Sequence, residues 1–251
     1  MRGLQGRRFL VTGAASGIGL AVARMAAARG ARVGLLDRDE AALERACAAL
    51  GDVALAVACD VADAAAVRQA VDGVASWAGG LDAVVNSAGV DALVPLEAMD
   101  DAQWAGALAV NLTGPMLVCR AAMPHLRRSG GGSIVNVASA AGLSPLRHRS
   151  AYCATKAGLI MFGKALAIEA AADDIRVNAV CPGAIDTPLF RSSYEHSDDP
   201  ARELEAIRQR YALRRVAAPE EVAEAVLYLC GQGASYITGI ALAVDGGRSF
   251  H

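Results

Sequence analysis

The chain has 251 residues, enough for one large α/β domain or two small ones, and either could bury a real core. Its 54% hydrophobic and 20% charged residues exclude a disordered chain, and a formal net charge of −2 gives no basic face for nucleic acid. No uncharged apolar run reaches the roughly 18 residues that a membrane helix needs. The opening Met1–Arg8 does not start a secretory signal, so a cytoplasmic protein without a membrane partner is expected.

Strand-like and helix-like stretches alternate along the chain. Phe9–Val11 reads as a buried strand. A glycine loop follows, and then a helix over Leu20–Arg29 that Gly30 stops. Arg32–Leu36 is the next strand and Glu40–Leu50 the next helix. Strands are predicted at Val53–Cys59 and Leu81–Asn86, with the helix Ala64–Trp77 between them. Gln103–Met123 reads as one long helix, Ser133–Ser139 as a strand, Ala151–Ala171 as a helix and Arg176–Val180 as a strand. Pro219–Cys230 is a helix with Pro at its start, and Ile240–Val244 is the last strand. This alternation predicts a single α/β domain over residues 1–251: a Rossmann-type, doubly wound parallel sheet with helices on both faces. The polar stretch Arg191–Arg210 is too short for a domain, and a substrate lid is expected at about 188–215. Six cysteines show no C-x-x-C pairing and no His cluster, so reduced, mostly buried thiols and no metal site are expected.

Thr12-Gly13-Ala14-Ala15-Ser16-Gly17-Ile18-Gly19 directly follows the first strand and opens the first helix. Glycines there permit a tight turn and close backbone approach to a pyrophosphate, and the helix N-terminus supplies free N–H groups. The spacing is G-x-x-x-G-x-G rather than the general G-x-G-x-x-G. Asp37 ends the second strand, 18 residues after Gly19, where a carboxylate accepts both ribose hydroxyls of an adenosine and repels a 2′-phosphate. Ser16 leaves the loop without a basic residue to hold such a phosphate, so NAD (NAD+/NADH) is expected ahead of NADP. Arg38 weakens that reading, since it can reach a phosphate or stack on the adenine. Asp37 also reads as a turn or cap acid before the next helix.

Tyr152 and Lys156 lie four apart on one face of a helix. A free tyrosine has a pKa of about 10, and a nearby ammonium favours its phenolate. The pair therefore offers proton transfer with an alcohol or a ketone. Only two lysines, Lys156 and Lys164, occur among 24 basic residues, so a lysine at this spacing is informative. Lys164 itself reads as a solvated charge, and Cys153 as packing on another face. Ser139 sits 13 residues before Tyr152 at a strand end, on the sheet edge where ligands bind in open α/β folds.

With Asn111 in Val110-Asn111-Leu112-Thr113-Gly114, these motifs resemble the short-chain dehydrogenase/reductase family, in its short single-domain branch, from about Arg8 to Gly247. The resemblance implies an Asn111–Ser139–Tyr152–Lys156 tetrad. In it Tyr152 is the acid–base, and Lys156 lowers its pKa and binds the nicotinamide ribose. Ser139 orients the substrate oxygen, and Asn111 holds a water that links Lys156 to solvent. It further implies cofactor contacts from Gly13, Ser16, Gly17, Ile18, Gly19, Asp37 and Arg38. Asp60 and Val61 would hold the adenine, with Asn86, Ala88 and Gly89 at the fourth strand end. Pro182, Gly183, Ile185 and Thr187 would hold the nicotinamide carboxamide. Ser87 departs from the usual Asn-Asn-Ala-Gly segment, and Ala212–Ala217 lacks the glycines of many relatives.

The function so implied is an NAD(H)-dependent oxidoreductase that interconverts a secondary alcohol (a sugar, polyol or hydroxy acid) and its ketone, in a homo-oligomer (tetramer or dimer). Alternatives are an acyl-thioester ketoreductase of the same family and a non-catalytic NAD-binding regulator. Arg147-His148-Arg149 suggests an anionic substrate, and a solvated charged loop is an equal reading.

Overall fold

The computed structural model describes residues 4–249. Among them, seven strands form one parallel sheet in the order β3-β2-β1-β4-β5-β6-β7. They are β1 (Arg8–Thr12), β2 (Arg32–Asp37), β3 (Ala54–Ala58), β4 (Ala83–Asn86), β5 (Gly132–Val137), β6 (Ile175–Pro182) and β7 (Ala241–Val244). Strand side chains alternate between the two faces. Phe9, Val11, Val33, Leu35, Val85 and Val135 face one apolar core. Leu10, Leu36, Val84 and Ile134 face the other. Both faces are covered, which is why the strands read as continuous apolar runs.

The helices α1 (Gly17–Ala28), α2 (Glu40–Leu50) and α9 (Pro219–Cys230) cover the first face. The second is covered by α3 (Ala64–Ala78), α5 (Gly114–Arg128) and α6 (Ser150–Ala170). Between them run α4 (Asp101–Leu108) and the short α7 (Pro188–Arg191) and α8 (Pro200–Arg208). Local chemistry marks the helix starts. Asp39, Asp63 and Asp100 accept backbone N–H bonds at the N-caps of α2, α3 and α4, and Gln103 completes a capping box on α4.

The helix expected at Gln103–Met123 is a longer segment with a defect. It starts at Asp101, passes through a π-helical turn at Ala109–Thr113, and runs past Pro124 to Arg128. The fully buried Leu126 anchors the turn beyond the proline. The first helix starts at Gly17, three residues before the expected Leu20, because the glycine loop itself turns into it. Asp101–Arg128 and Ser150–Asp173 are long and apolar enough to cross a membrane, yet each packs one apolar face on the sheet, through residues such as Leu117, Leu126 and Ala167, and the second leaves Met161 and Ile168 exposed. All six cysteines are free thiols; Cys59, Cys119, Cys181 and Cys230 are buried.

The strand order reverses between β1 and β4. In open α/β sheets, ligands bind at the carboxyl ends of the strands at such a point.

Candidate active site

A cleft of about 880 Å³ opens at this edge. Gly13, Ser16, Gly17 and Ile18 line one end of it, with Asp37, Arg38, Asp60 and Val61 beside them. Gly13 has φ +65°, and a Cβ there would stand 2.7 Å from the Ala88 nitrogen. The glycine loop therefore lies directly against the segment after β4. A Cβ on Gly19 would stand 2.2 Å from the Gly13 carbonyl oxygen, so α1 can leave the loop only from a glycine. Ser16 caps α1 with extended backbone and makes no side-chain capping bond, which leaves first-turn N–H groups open to an anion. Asp37 Oδ2 accepts from Ala15 N at 3.0 Å and Oδ1 from Asp39 N at 3.1 Å, so the acid also anchors the loop. Thr12 Oγ1 accepts from Ser87 N and Ala88 N at 3.1 and 3.2 Å, tying β1 to the β4 end. A bare glycine turn, open helix N–H groups and a carboxylate one strand away fit a dinucleotide.

Ser139, Tyr152 and Lys156 line the same cleft, with Pro182, Gly183, Ile185 and Thr187 opposite. Ser139 follows β5 by two residues, where the strand expected to run to Ser139 has already ended, and caps a short 3₁₀ turn, its Oγ accepting from Ala141 N at 3.0 Å. Tyr152 and Lys156 come from the first two turns of α6. Lys156 is 4% exposed, and its Nζ donates to Val137 O at 3.0 Å and stands 5.6 Å from the Tyr152 ring centre. Burial pushes the Tyr152 phenol up to about 12, against the pull of the Ser139 hydroxyl. Burial pushes the Lys156 ammonium down to about 8, against the field of Asp91. Desolvation is the largest influence on the Tyr152 phenol, while the Lys156 ammonium is turned toward the β5 carbonyl.

Three expected site residues stand behind the cleft rather than on it. Gly19 serves the close packing just described. Asn86 is buried in the sheet, its Nδ2 donating to Asn136 Oδ1 at 2.9 Å. Asn111 is fully buried in the π-helical turn. Its Oδ1 accepts from Val90 N at 2.9 Å, and its Nδ2 donates to Val90 O at 2.8 Å and to Thr155 Oγ1 at 3.2 Å. The Asn111 side chain is thus spent on protein groups. Ala88 and Gly89 line the cleft.

Arg147 and His148 are exposed, while Arg149 is mostly buried against Asp91. The three therefore do not form one anion-binding cluster, because Arg149 is already neutralised. Lys164 is exposed, as expected.

Other residues were invisible to motif reading. Thr155 Oγ1 donates to Tyr152 O at 2.9 Å while accepting from Asn111; a hydroxyl inside the Tyr-x-x-x-Lys spacing was its only signal. Glu203, Ile207, Arg210 and Tyr211 reach the cleft from α8 and the segment after it. Arg248 donates to Ser144 O at 3.1 Å and Pro145 O at 3.0 Å, strapping the chain end to the segment before Tyr152.

Comparison with known proteins agrees with this geometry. A family model described as enoyl-(acyl carrier protein) reductase matches residues 13–249. A D-threitol dehydrogenase of Mycolicibacterium smegmatis is 40% identical, over 97% of this chain and 93% of that protein. A cis-4-hydroxycyclohexanecarboxylate dehydrogenase of Sinomonas cyclohexanicum is 42% identical, over 96% of each. Among solved structures, a 3-ketoacyl-(acyl-carrier-protein) reductase from Brucella melitensis, complexed with NADH, superposes with a TM-score of 0.91 at 38% identity. It covers 98% of this chain and 100% of that one. A parallel sheet with this strand reversal, a match over nearly the whole chain and dehydrogenase relatives lead to one conclusion: the chain belongs to the short-chain dehydrogenase/reductase family, in its single-domain branch.

Proposed function

We propose that this protein is an NAD(H)-dependent dehydrogenase that interconverts a secondary alcohol and its ketone, with Tyr152 as the acid–base. The observation that carries the reading is the presence of Ser139, Tyr152 and Lys156 in the same cleft as the glycine loop and Asp37. NAD(H) would be held by Gly13–Gly19, Asp37, the segment after β4 and Pro182–Thr187. When bound, it supplies the acceptor for the two electrons and hydrogen that leave the carbinol carbon as hydride. The chain's own residues handle the proton. Tyr152 Oη takes it from the hydroxyl in oxidation and returns it to the carbonyl oxygen in reduction. Ser139 orients that oxygen. Lys156 holds positive charge beside the phenolate, and Asn111 and Thr155 fix the helix turn that carries both.

Residues 188–215 serve as a lid over the site. Its two stems are joined by the Ile185–Ala217 bridge and by the bond from Asp186 N to Ala217 O at 2.9 Å. The protein works in the cytoplasm as a homo-oligomer. Met161 and Ile168, exposed two turns apart on one flank of α6, support an interface there.

NADH formation with a panel of polyols, hydroxy acids and secondary alcohols tests the reading, beside Tyr152→Phe. The variant is expected to lose about 10²–10⁴-fold in kcat while binding NAD in a calorimetric titration. Turnover that survives in the variant overturns the mechanism. Binding of NAD without turnover of any substrate favours a regulator. A second reading, reduction of a 3-oxoacyl thioester, draws on the likeness to the Brucella reductase; an acetoacetyl thioester in the panel separates the two.

A further inference from the structure

The substrate end of the cleft holds an ion pair that proton transfer does not use. Asp91, in the segment after β4, and Arg149, the residue before α6, both line the cleft, and Arg149 Nη1 donates to Asp91 Oδ2. Their side chains are 8% and 17% exposed. Burying such a pair costs several kcal/mol per ion unless every remaining lone pair is satisfied. Here one is not: Asp91 Oδ1 is buried and has no hydrogen-bond partner among the described residues.

The segment that carries Asp91 is held firmly. Asn111 bonds both backbone groups of the adjacent Val90, and Val94 N donates to His148 O at 2.8 Å. Asp91 is therefore a fixed feature of the cleft wall rather than a solvated loop acid. Its charge acts on both Tyr152 and Lys156, which puts it on the reacting side of the cleft.

The chemistry of the open oxygen selects its ligand. Burial raises the Asp91 carboxyl above its ordinary value and the Arg149 charge pulls it back; ionised beside that cation, it only accepts hydrogen bonds, so the ligand must donate one. A carboxylate or phosphate on the substrate would be repelled, and Arg149 has no spare charge to hold it. A neutral hydroxyl meets both conditions. The terminal torsion of an aspartate is soft, so a small turn presents Oδ1 to the cleft.

We propose that Asp91, held by Arg149, receives a second hydroxyl of the substrate, on the carbon beside the one oxidised, so that vicinal diols and polyols are the substrate class. This rests on the dehydrogenase function proposed above. It also implies that 2-hydroxy acids are poor substrates, because their carboxylate would fall against Asp91.

The test measures kcat/KM with NAD for matched probes: a vicinal cyclohexanediol against cyclohexanol, and threitol and 2-hydroxybutanoate beside them. Wild-type enzyme is expected to favour the diol by about tenfold or more, the worth of one hydrogen bond to a charged group. In Asp91→Asn the diol-to-monoalcohol ratio falls by about the same factor, mainly through KM. Asp91→Asn leaves Arg149 unpaired, so the double variant Asp91→Asn/Arg149→Gln and melting temperatures of both accompany it. A wild-type ratio near one, or a ratio that neither variant moves while both stay folded, overturns the proposal. So does preferred turnover of 2-hydroxybutanoate. Failure of the wild-type enzyme on every alcohol would instead strike the dehydrogenase reading itself.

Discussion

Asp37 has two duties, and replacing it separates them. Its carboxylate anchors the glycine loop through Ala15 N and closes the β2 turn through Asp39 N. The same charge would accept the adenosine ribose hydroxyls and repel a 2′-phosphate. Asp37→Asn keeps an oxygen for Ala15 N and removes the charge. A carboxylate and one phosphate charge about 4 Å apart interact by about 1 kcal/mol in water and about 4 kcal/mol at a protein surface. Asp37 is only partly buried, so the low end applies. Two phosphate charges then give about 2 kcal/mol of relief. Loss of the charge-assisted ribose bonds costs NAD(H) a further 2 kcal/mol or so. The ratio of kcat/KM for NADPH over NADH should therefore rise by about 10³. Both values are measured at one ionic strength, because salt screens this term. The melting temperature should fall by only a few degrees, roughly 2–4 °C, for the loss of the exposed bond from Asp39 N. A ratio that moves less than about threefold in a folded variant would refute the reasoning and leave Asp37 with its anchoring role alone.

Two further outcomes follow from the geometry. Oxidation needs Tyr152 without its proton and Lys156 with its own. With the phenol near about 12 and the ammonium near about 8, kcat/KM for the alcohol should rise roughly tenfold per pH unit up to about pH 8 and then level. Above that point one proton is shared between the two groups, and the reactive form keeps a constant fraction. A profile flat from about pH 6 to 9 would contradict this. Gly13→Ala should raise the NAD dissociation constant at least about tenfold and lower the melting temperature. The left-handed backbone alone costs about 1–2 kcal/mol, and the new Cβ strikes Ala88. Gly51→Ala has a similar φ, +69°, with nothing within 4 Å of the new Cβ, so it should lose stability only. Equal effects of the two on NAD binding would dismiss the close approach as the cause.

Much of the architecture was legible because two-sided burial writes each parallel strand as a short apolar run. Glu40–Leu50 and Pro219–Cys230 match their expected bounds, since Asp39 caps one and Pro219 opens the other. The π-helical turn was not legible. Nothing in Ala109–Thr113 distinguishes an extra residue in a helix from regular winding, and the reason for it, the bonds from Asn111 to Val90, spans 21 positions. Tyr152, Lys156 and Ser139 were found because their roles are tied to spacing and to a strand end. The pairing of Asp91 with Arg149 was not, because it joins separate loops 58 positions apart. Arg147-His148-Arg149 suggested an anionic substrate, but the sign of the charge left for substrate depends on which cation meets which acid. The protonation states also escaped. Four-residue spacing brings an ammonium near a phenol, but how much water each has lost depends on the whole cleft wall.

The π-helical turn also constrains how this chain can change length. Deleting one residue from Ala109–Thr113 would restore regular winding, the cheaper backbone for a helix. Because the π turn absorbs one extra residue, the helix after it would keep its face, and Leu117, Val118, Ala122 and Leu126 would stay on the sheet. The loss would be local: Asn111 would release Val90, and with it the segment that carries Asp91 into the cleft. One added residue thus lets a core helix reach the cleft wall without disturbing the face it packs on the sheet.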